Sequence, residues 1–188
     1  MLSNAPRYAI RLNALKKSLP PEEAGDLPSL LRLAASGDGS NAADLNYPDQ
    51  ISDANEAETA AALAETGLHL NGLAMRYYGN PAYALGAFTN PDPAVRRETI
   101  ELTKNGCDCA RRLGASQMTL WMGQDGFDYA FQMDYARAWD DTIAAITEIA
   151  DHAPDLEIAI EYKPNAPRAY ALMPDIGTTL LAIKEVGR

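Results

Sequence analysis

Gln117-Met-Thr-Leu-Trp-Met122 and Leu156-Glu-Ile-Ala-Ile-Glu-Tyr162 are two apolar, strand-like runs with a helical pattern between them. Trp139, Ile143, Ile146 and Ala150 recur there at i, i+4, i+7 and i+11, which is one side of an α-helix. Strand, helix and strand in that order predict two parallel strands joined by a crossover.

The same unit repeats toward the N-terminus. Tyr8-Ala-Ile-Arg-Leu-Asn13, Ala42-Ala-Asp-Leu-Asn-Tyr47 and Leu68-His-Leu-Asn-Gly-Leu-Ala-Met75 read as three further strands. Leu27 to Ala35 is apolar at helical spacing and stops at Ser36-Gly-Asp-Gly. A second helix is expected from about Ala54 to Glu65, capped by Ser52 or Asp53 and stopped by Gly67. Asp92-Pro93 opens a third, with Val95, Leu102, Cys109 and Leu113 along one side. Ile176, Leu180 and Ile183 mark a last helix, closed by Gly187. Arg76 to Asn90 and Gly123 to Met133 are irregular.

Five strand–helix units without a linker make residues 1–188 a single α/β domain. An open doubly wound sheet would usually carry a glycine-rich turn after its first strand, and no G-x-G-x-x-G occurs. A complete (β/α)8 barrel needs about 250 residues and eight units. The expectation is therefore a partial (β/α)8 TIM barrel of about five parallel βα units, with the C-terminal units absent.

Composition narrows the function. With 26 acidic and 16 basic side chains, the net charge of −10 argues against a nucleic-acid partner, which calls for a basic footprint. No apolar run reaches ~18 residues, so no membrane span is expected. The start, Met1-Leu-Ser-Asn-Ala-Pro-Arg7, lacks the pattern of a secretory signal. Cys107 and Cys109 form a lone C-x-C pair, a poor zinc or redox signature, and read as small buried side chains of a reduced, cytoplasmic protein.

In parallel α/β architectures ligands bind at the C-terminal ends of the strands. Here those ends bring Asn13, Asn46, Tyr47, Met75, Arg76, Trp121 to Asp125, and Glu161 to Lys163. Nine aromatic side chains fall in two windows, Tyr77 to Phe88 and Trp121 to Tyr135, each at a strand exit. Rings interleaved with amides and acids suit a small polyol, whose C–H faces pack on the rings while its hydroxyls hydrogen-bond. The alternative is aromatics that merely cover the mouth. Glu161 and Lys163 are two apart, so strand geometry would turn both toward one cavity. A carboxylate there suits magnesium or manganese, and a lysine can steady a substrate oxygen. A structural ion pair is the competing reading. His69, at the opposite end of the third strand, and His152, at a helix end, read as structural. No G-x-S-x-G or H-E-x-x-H motif supports a serine hydrolase or zinc protease.

Ala43-Asp-Leu-Asn-Tyr-Pro48, Phe88-Thr-Asn-Pro-Asp-Pro-Ala-Val-Arg-Arg97, Leu120-Trp-Met-Gly-Gln-Asp-Gly-Phe-Asp-Tyr129 and Ile160-Glu-Tyr-Lys-Pro-Asn165 resemble the xylose-isomerase-like TIM-barrel proteins. Within them the chain is most similar to sugar isomerases and epimerases of the L-rhamnose-isomerase and tagatose-epimerase type. The resemblance implies aldose–ketose isomerisation or ketose epimerisation with a divalent metal, Mn2+ first and Mg2+ or Co2+ next. It implies Glu161 as the first metal ligand and Lys163 as a lysine on a substrate oxygen, the two catalytic candidates. It implies Trp121 as a wall of the sugar pocket, with Asn46, Arg76, Phe88, Gln124 and Asp125 as further substrate-binding candidates. The family's other metal ligands come from later strands, so the chain is expected to be the N-terminal part of a longer isomerase and inactive alone. Unpaired edges on the first and last strands would then favour self-association. Two other functions remain: a non-catalytic carbohydrate-binding fragment, and another enzyme of the superfamily such as an inosose dehydratase or hydroxypyruvate isomerase. An endonuclease of the superfamily is disfavoured by the charge and by the lack of clustered histidines.

Overall fold

A computed structural model describes residues 8–188 apart from Ala24 and Asp38. The reading of Met1–Arg7 lies outside the described residues, as does Asp38 of the first helix stop. The strands β1 (Ala9–Arg11), β2 (Ala42–Tyr47), β3 (His69–Met75), β4 (Gln117–Leu120) and β6 (Glu157–Ile160) form one sheet in that order, every pair parallel. Each strand neighbours the next, and the order never reverses. A doubly wound sheet reverses at its switch point, so this is an arc of a TIM-like barrel.

Five α-helices alternate with the strands: α1 (Leu27–Ser36), α2 (Glu56–Thr66), α3 (Pro93–Arg112), α4 (Tyr135–His152) and α5 (Ile176–Val186). Asp26, Asp92, Asp134 and Asp175 cap α1, α3, α4 and α5 by accepting backbone N–H bonds in the first turn. α2 starts two residues later than its sequence suggests. Ser52 and Asp53 do not cap it, because Asn55 turns its amide back on Ser52 N–H and Gln50 C=O and closes the preceding turn.

Period-two alternation divides the sheet into two faces. Leu45, Leu73, Met75, Met118 and Leu120 point to the helical layer and are essentially inaccessible. α3 sits so close that a Cβ on Gly106 would meet Met75 Sδ, Tyr47 Cδ1 and Met118 Cε at 3.0–3.2 Å. Cys107 and Cys109 are buried beside it as free thiols, and burial pushes both up to about 12. The opposite face is polar: Arg11, Asp44, Gln117, Thr119 and Glu161 line a hollow of about 120 Å3.

Among the described residues, β6 has no strand beyond it. Along its free edge lies an apolar groove of about 400 Å3, walled by Ile146, Ile158, Ile160, Ile183 and Val186. Ile176, Leu180 and Leu181 of α5 are also exposed. Among the described residues, no helix is long and apolar enough to cross a membrane.

One element goes beyond the sequence reading. The exits of β4 and β6 are tied by an antiparallel ribbon, β5 (Gly126–Phe127) with β7 (Tyr170–Ala171). Gly126, at φ +158°, is needed there because a Cβ would collide with Tyr170 C=O.

Candidate functional site

Three segments leave the C-terminal end of the sheet side by side: 76–92 after β3, 121–134 after β4 and 161–175 after β6. Asp125 locks the first to the second. Its Oδ1 accepts from Ala87 N–H at 3.1 Å, Thr89 N–H at 2.7 Å and Thr89 hydroxyl at 2.7 Å. Leu172 N–H donates to Asp125 C=O at 3.0 Å and brings in the third. Arg168 completes the knot. It pairs with Asp128 at 2.8 Å and donates to the backbone carbonyls of Gln124 and Ala84.

Asp125 is therefore a fixture of the scaffold rather than a ligand-facing acid. It is 0% exposed, and its Oδ2 has no partner. Burial outweighs the three donors and pushes its carboxyl up to about 6. Phe88 is corrected in the same way: it is fully buried and packs edge-on to Tyr77, with ring centres 5.5 Å apart. Tyr77 is itself buried, sharing a hydrogen bond with Thr103 at 2.9 Å. The first aromatic window is thus mostly core. Gln124 is half-buried, and its backbone carbonyl, not its side chain, is what the neighbouring loop uses.

The remaining candidates converge. Asn46, 5% exposed at the end of β2, accepts from Arg76 Nε at 2.9 Å and from Arg11 Nη2 at 3.3 Å. The Arg76 guanidinium lies over Tyr78 at 5.4 Å and Trp121 at 5.8 Å. Lys163 Nζ reaches the same Trp121 ring at 5.4 Å, and Tyr78 meets that ring edge-on at 5.2 Å. Cation–π contact with a half-buried indole holds both cations near the wall without neutralising them. Glu161 is exposed and borders both the inner hollow and a second recess shared with Trp121 and Lys163.

Glu161 and Lys163 do face one recess, though strand alternation is not the cause. β6 ends at Ile160, and Lys163 N–H has already turned to bond Met173 C=O at 3.0 Å. No ion pair forms between them, so the structural-pair reading is not what the geometry shows. Arg11 and Tyr78 were not among the expected site residues. Arg11 had a signal: a cation set between Ile10 and Leu12 in a short strand. Tyr78 had only its place in the first aromatic window, where its neighbour Tyr77 is core.

His69 is exposed at the far end of β3, and His152, the last residue of α4, has Nε2 3.0 Å from Asp108 Oδ1. Among the described residues no three His, Cys, Asp or Glu side chains gather as a metal site. Glu161 offers one carboxylate where Mg2+ or Mn2+ takes roughly six donors. These residues by themselves do not fit a divalent ion.

Known proteins share this architecture. The chain is 31% identical over 131 residues to the xylose isomerase of Thermus thermophilus, covering 68% of this chain and 34% of that protein. A D-allulose 3-epimerase from Methylomonas sp., solved with D-allulose, superposes with a TM-score of 0.72 at 20% identity, over 97% of this chain and 59% of its own. An AP endonuclease of family 2 from Brucella melitensis superposes with a TM-score of 0.71 at 16% identity, over 98% of this chain and 66% of its own. The chain thus spans about a third of the curated relative and about three fifths of the epimerase, and at such identities the structural likeness speaks for the fold alone. The model of one family, described as the xylose isomerase-like TIM barrel, matches residues 34–187. That match takes in every strand after β1 together with Asn46, Arg76, Trp121, Glu161 and Lys163, and the chain belongs to the xylose isomerase-like TIM barrel family.

Proposed function

We propose that this chain is the sugar-recognising N-terminal portion of a sugar isomerase or ketose epimerase. The observation that carries the reading is the meeting of Arg76, Trp121 and Lys163 on one ring, with Glu161 opening onto the same recess. The Trp121 face offers an apolar wall for the C–H side of a sugar. Asn46 holds Arg76 in place, so its terminal N–H groups are pre-oriented toward hydroxyl or carbonyl oxygens. Lys163 donates to an oxygen on the other flank, where an ammonium steadies developing negative charge during a proton shift between adjacent carbons. Glu161 is the exposed carboxylate available for polarising or proton-transfer work. Relatives that use a divalent metal would supply it with further ligands, and turnover is a property proposed for the longer protein rather than for these residues alone.

Fluorescence titration with D-allulose tests the recognition half of this reading. Saturable quenching that disappears in Trp121→Ala is expected. Turnover of a ketohexose by the 188-residue chain in added Mn2+ would overturn the proposal that it needs later strands. The non-catalytic carbohydrate-binding reading predicts the same quenching, unchanged in Glu161→Gln, and no metal uptake.

A further inference from the structure

Gly123 follows Trp121 by two residues on the way out of β4. A Cβ on it would stand 2.7 Å from Trp121 Cζ2, 2.9 Å from Trp121 Cε2 and 3.2 Å from Pro167 Cδ. Real Cβ atoms essentially never come within 3.0 Å of a non-neighbouring heavy atom, so both approaches to the indole are clashes. Backbone freedom is not what the position asks of its residue. Unlike Gly126, Gly123 has a φ outside the left-handed region that favours glycine. What it supplies is space, and the edge of the indole fills that space. Pro167, on the loop after β6, is poorly placed to give way. Its neighbour Arg168 pairs with Asp128 and donates to Gln124 C=O, and Ala166 N–H bonds Arg168 C=O at 2.6 Å. The recess that Trp121 shares with Gly123, Glu161 and Lys163 measures about 10 Å3, room for one water at most. A sugar therefore meets the half of the ring left open to solvent. With the proline tied down and the recess nearly filled, the ring is what a Cβ would move.

We propose that Gly123 is a positioning residue: by lacking a Cβ it sets the seat of Trp121, and through that ring the affinity of the mouth for sugar. The proposal rests on the sugar reading above and names what fixes its wall. Three contacts of the mouth meet on Trp121. The Arg76 guanidinium lies 5.8 Å from the ring centre, Lys163 Nζ lies 5.4 Å from it, and Tyr78 meets it edge-on at 5.2 Å. Cation–π attraction reaches to about 6 Å from a ring centre, so both cations sit near its limit. Carbon atoms in ordinary contact are about 3.5–4.0 Å apart, so a Cβ on Gly123 would displace the ring by roughly 1 Å. Neither cation follows it freely, because Arg76 Nε is tied to Asn46 and the Lys163 backbone to Met173 C=O. A ring pushed off its seat no longer holds both cations, and it meets the sugar at another angle.

The experiment uses the full chain carrying Trp139→Phe, so that Trp121 is the sole tryptophan. In calorimetric titration, Gly123→Ala is expected to bind D-allulose about tenfold more weakly, the loss also expected of Trp121→Ala. Added to Trp121→Ala, the glycine substitution should cost no further affinity, because the two act through one ring. Acrylamide quenching of Trp121 fluorescence should rise in Gly123→Ala, which a merely structural role for the glycine would not produce. Parent-like affinity in Gly123→Ala overturns the proposal and leaves the sugar reading standing. Losses that add in the double variant do the same. A parent chain that does not bind D-allulose overturns the sugar reading but not the seat: quenching that rises in Gly123→Ala upholds the seat, and unchanged quenching overturns it. If Gly123→Ala unfolds at lower urea or fails to fold, stability should return when Trp121→Ala removes the ring. A loss that persists without the ring overturns the proposal.

Discussion

Asp125 and Glu161 follow neighbouring strands and have opposite surroundings. Beyond β4, the chain folds Asp125 under two other loops and surrounds it with three donors. Beyond β6, the chain leaves Glu161 in the open beside a recess. The same functional group is a buried structural tie in one place and an exposed carboxylate beside a recess in the other. What separates them is coverage by neighbouring loops, and the strand exit itself does not decide it. Elsewhere in the molecule several acids pair with cations of the helices. Glu148 holds Arg97 and Lys104, which pull its carboxyl down to about 2, and Asp155 holds Arg111.

The contrast can be broken most directly by removing each carboxylate. Asp125→Ala should destabilise the chain by about 3 kcal/mol in urea unfolding, because it strands three buried donors. A loss near zero would mean that water replaces the carboxylate and the three loops do not depend on it. The pH response sharpens the same point. A carboxyl whose folded value is raised to about 6, above its unfolded value of 3.8, binds more protons in the folded state between those limits. Its ionisation therefore opposes folding. Lowering pH from about 6 toward 4 should increase stability, by no more than about 3 kcal/mol. Asp125→Asn should abolish that slope. Glu148 works in the other direction: its depressed value contributes stability above its unfolded pKa of 4.5, lost as pH falls toward 2. The two windows are therefore separable in one acid titration monitored by circular dichroism.

A smaller effect is expected at the mouth. Trp121→Ala should leave the unfolding midpoint nearly unchanged, since the ring is only half-buried, and reduce sugar affinity about tenfold, the worth of one stacking surface. Calorimetric titration with D-allulose measures it. The smallest stability change is expected for Glu161→Gln, whose midpoint should match that of the parent chain in the same urea experiment. A large shift there would place Glu161 with Asp125 among the structural carboxylates and remove it from the site.

Much of the fold was legible because burial imposes a period. Alternation in Met118-Thr-Leu120 and the 3.6-residue spacing of Trp139, Ile143 and Ile146 record which side faces the core, and those elements stand where the sequence puts them. Strand ends were less legible. β4 and β6 each stop two residues before their apolar runs do, because Trp121, Met122, Glu161 and Tyr162 leave the ladder for the mouth. The site was legible only in part. Asn46, Arg76, Trp121, Glu161 and Lys163 could be placed at strand exits from the pattern alone. Phe88 and Asp125 occupy similar sequence contexts, and nothing local marks them as buried. Their burial comes from contacts across 36 to 38 residues of chain, made by loops without periodicity.

By itself, then, the sequence determined an α/β chain of five parallel units with polar and aromatic side chains gathered at the strand ends, because hydrophobic periodicity is a local record of which face is covered. Only the tertiary structure decided which of those side chains remain open to a ligand and which cations are left without a partner. Those properties depend on how three irregular loops fold over one another, and that is set by hydrogen bonds and packing between residues far apart in the chain.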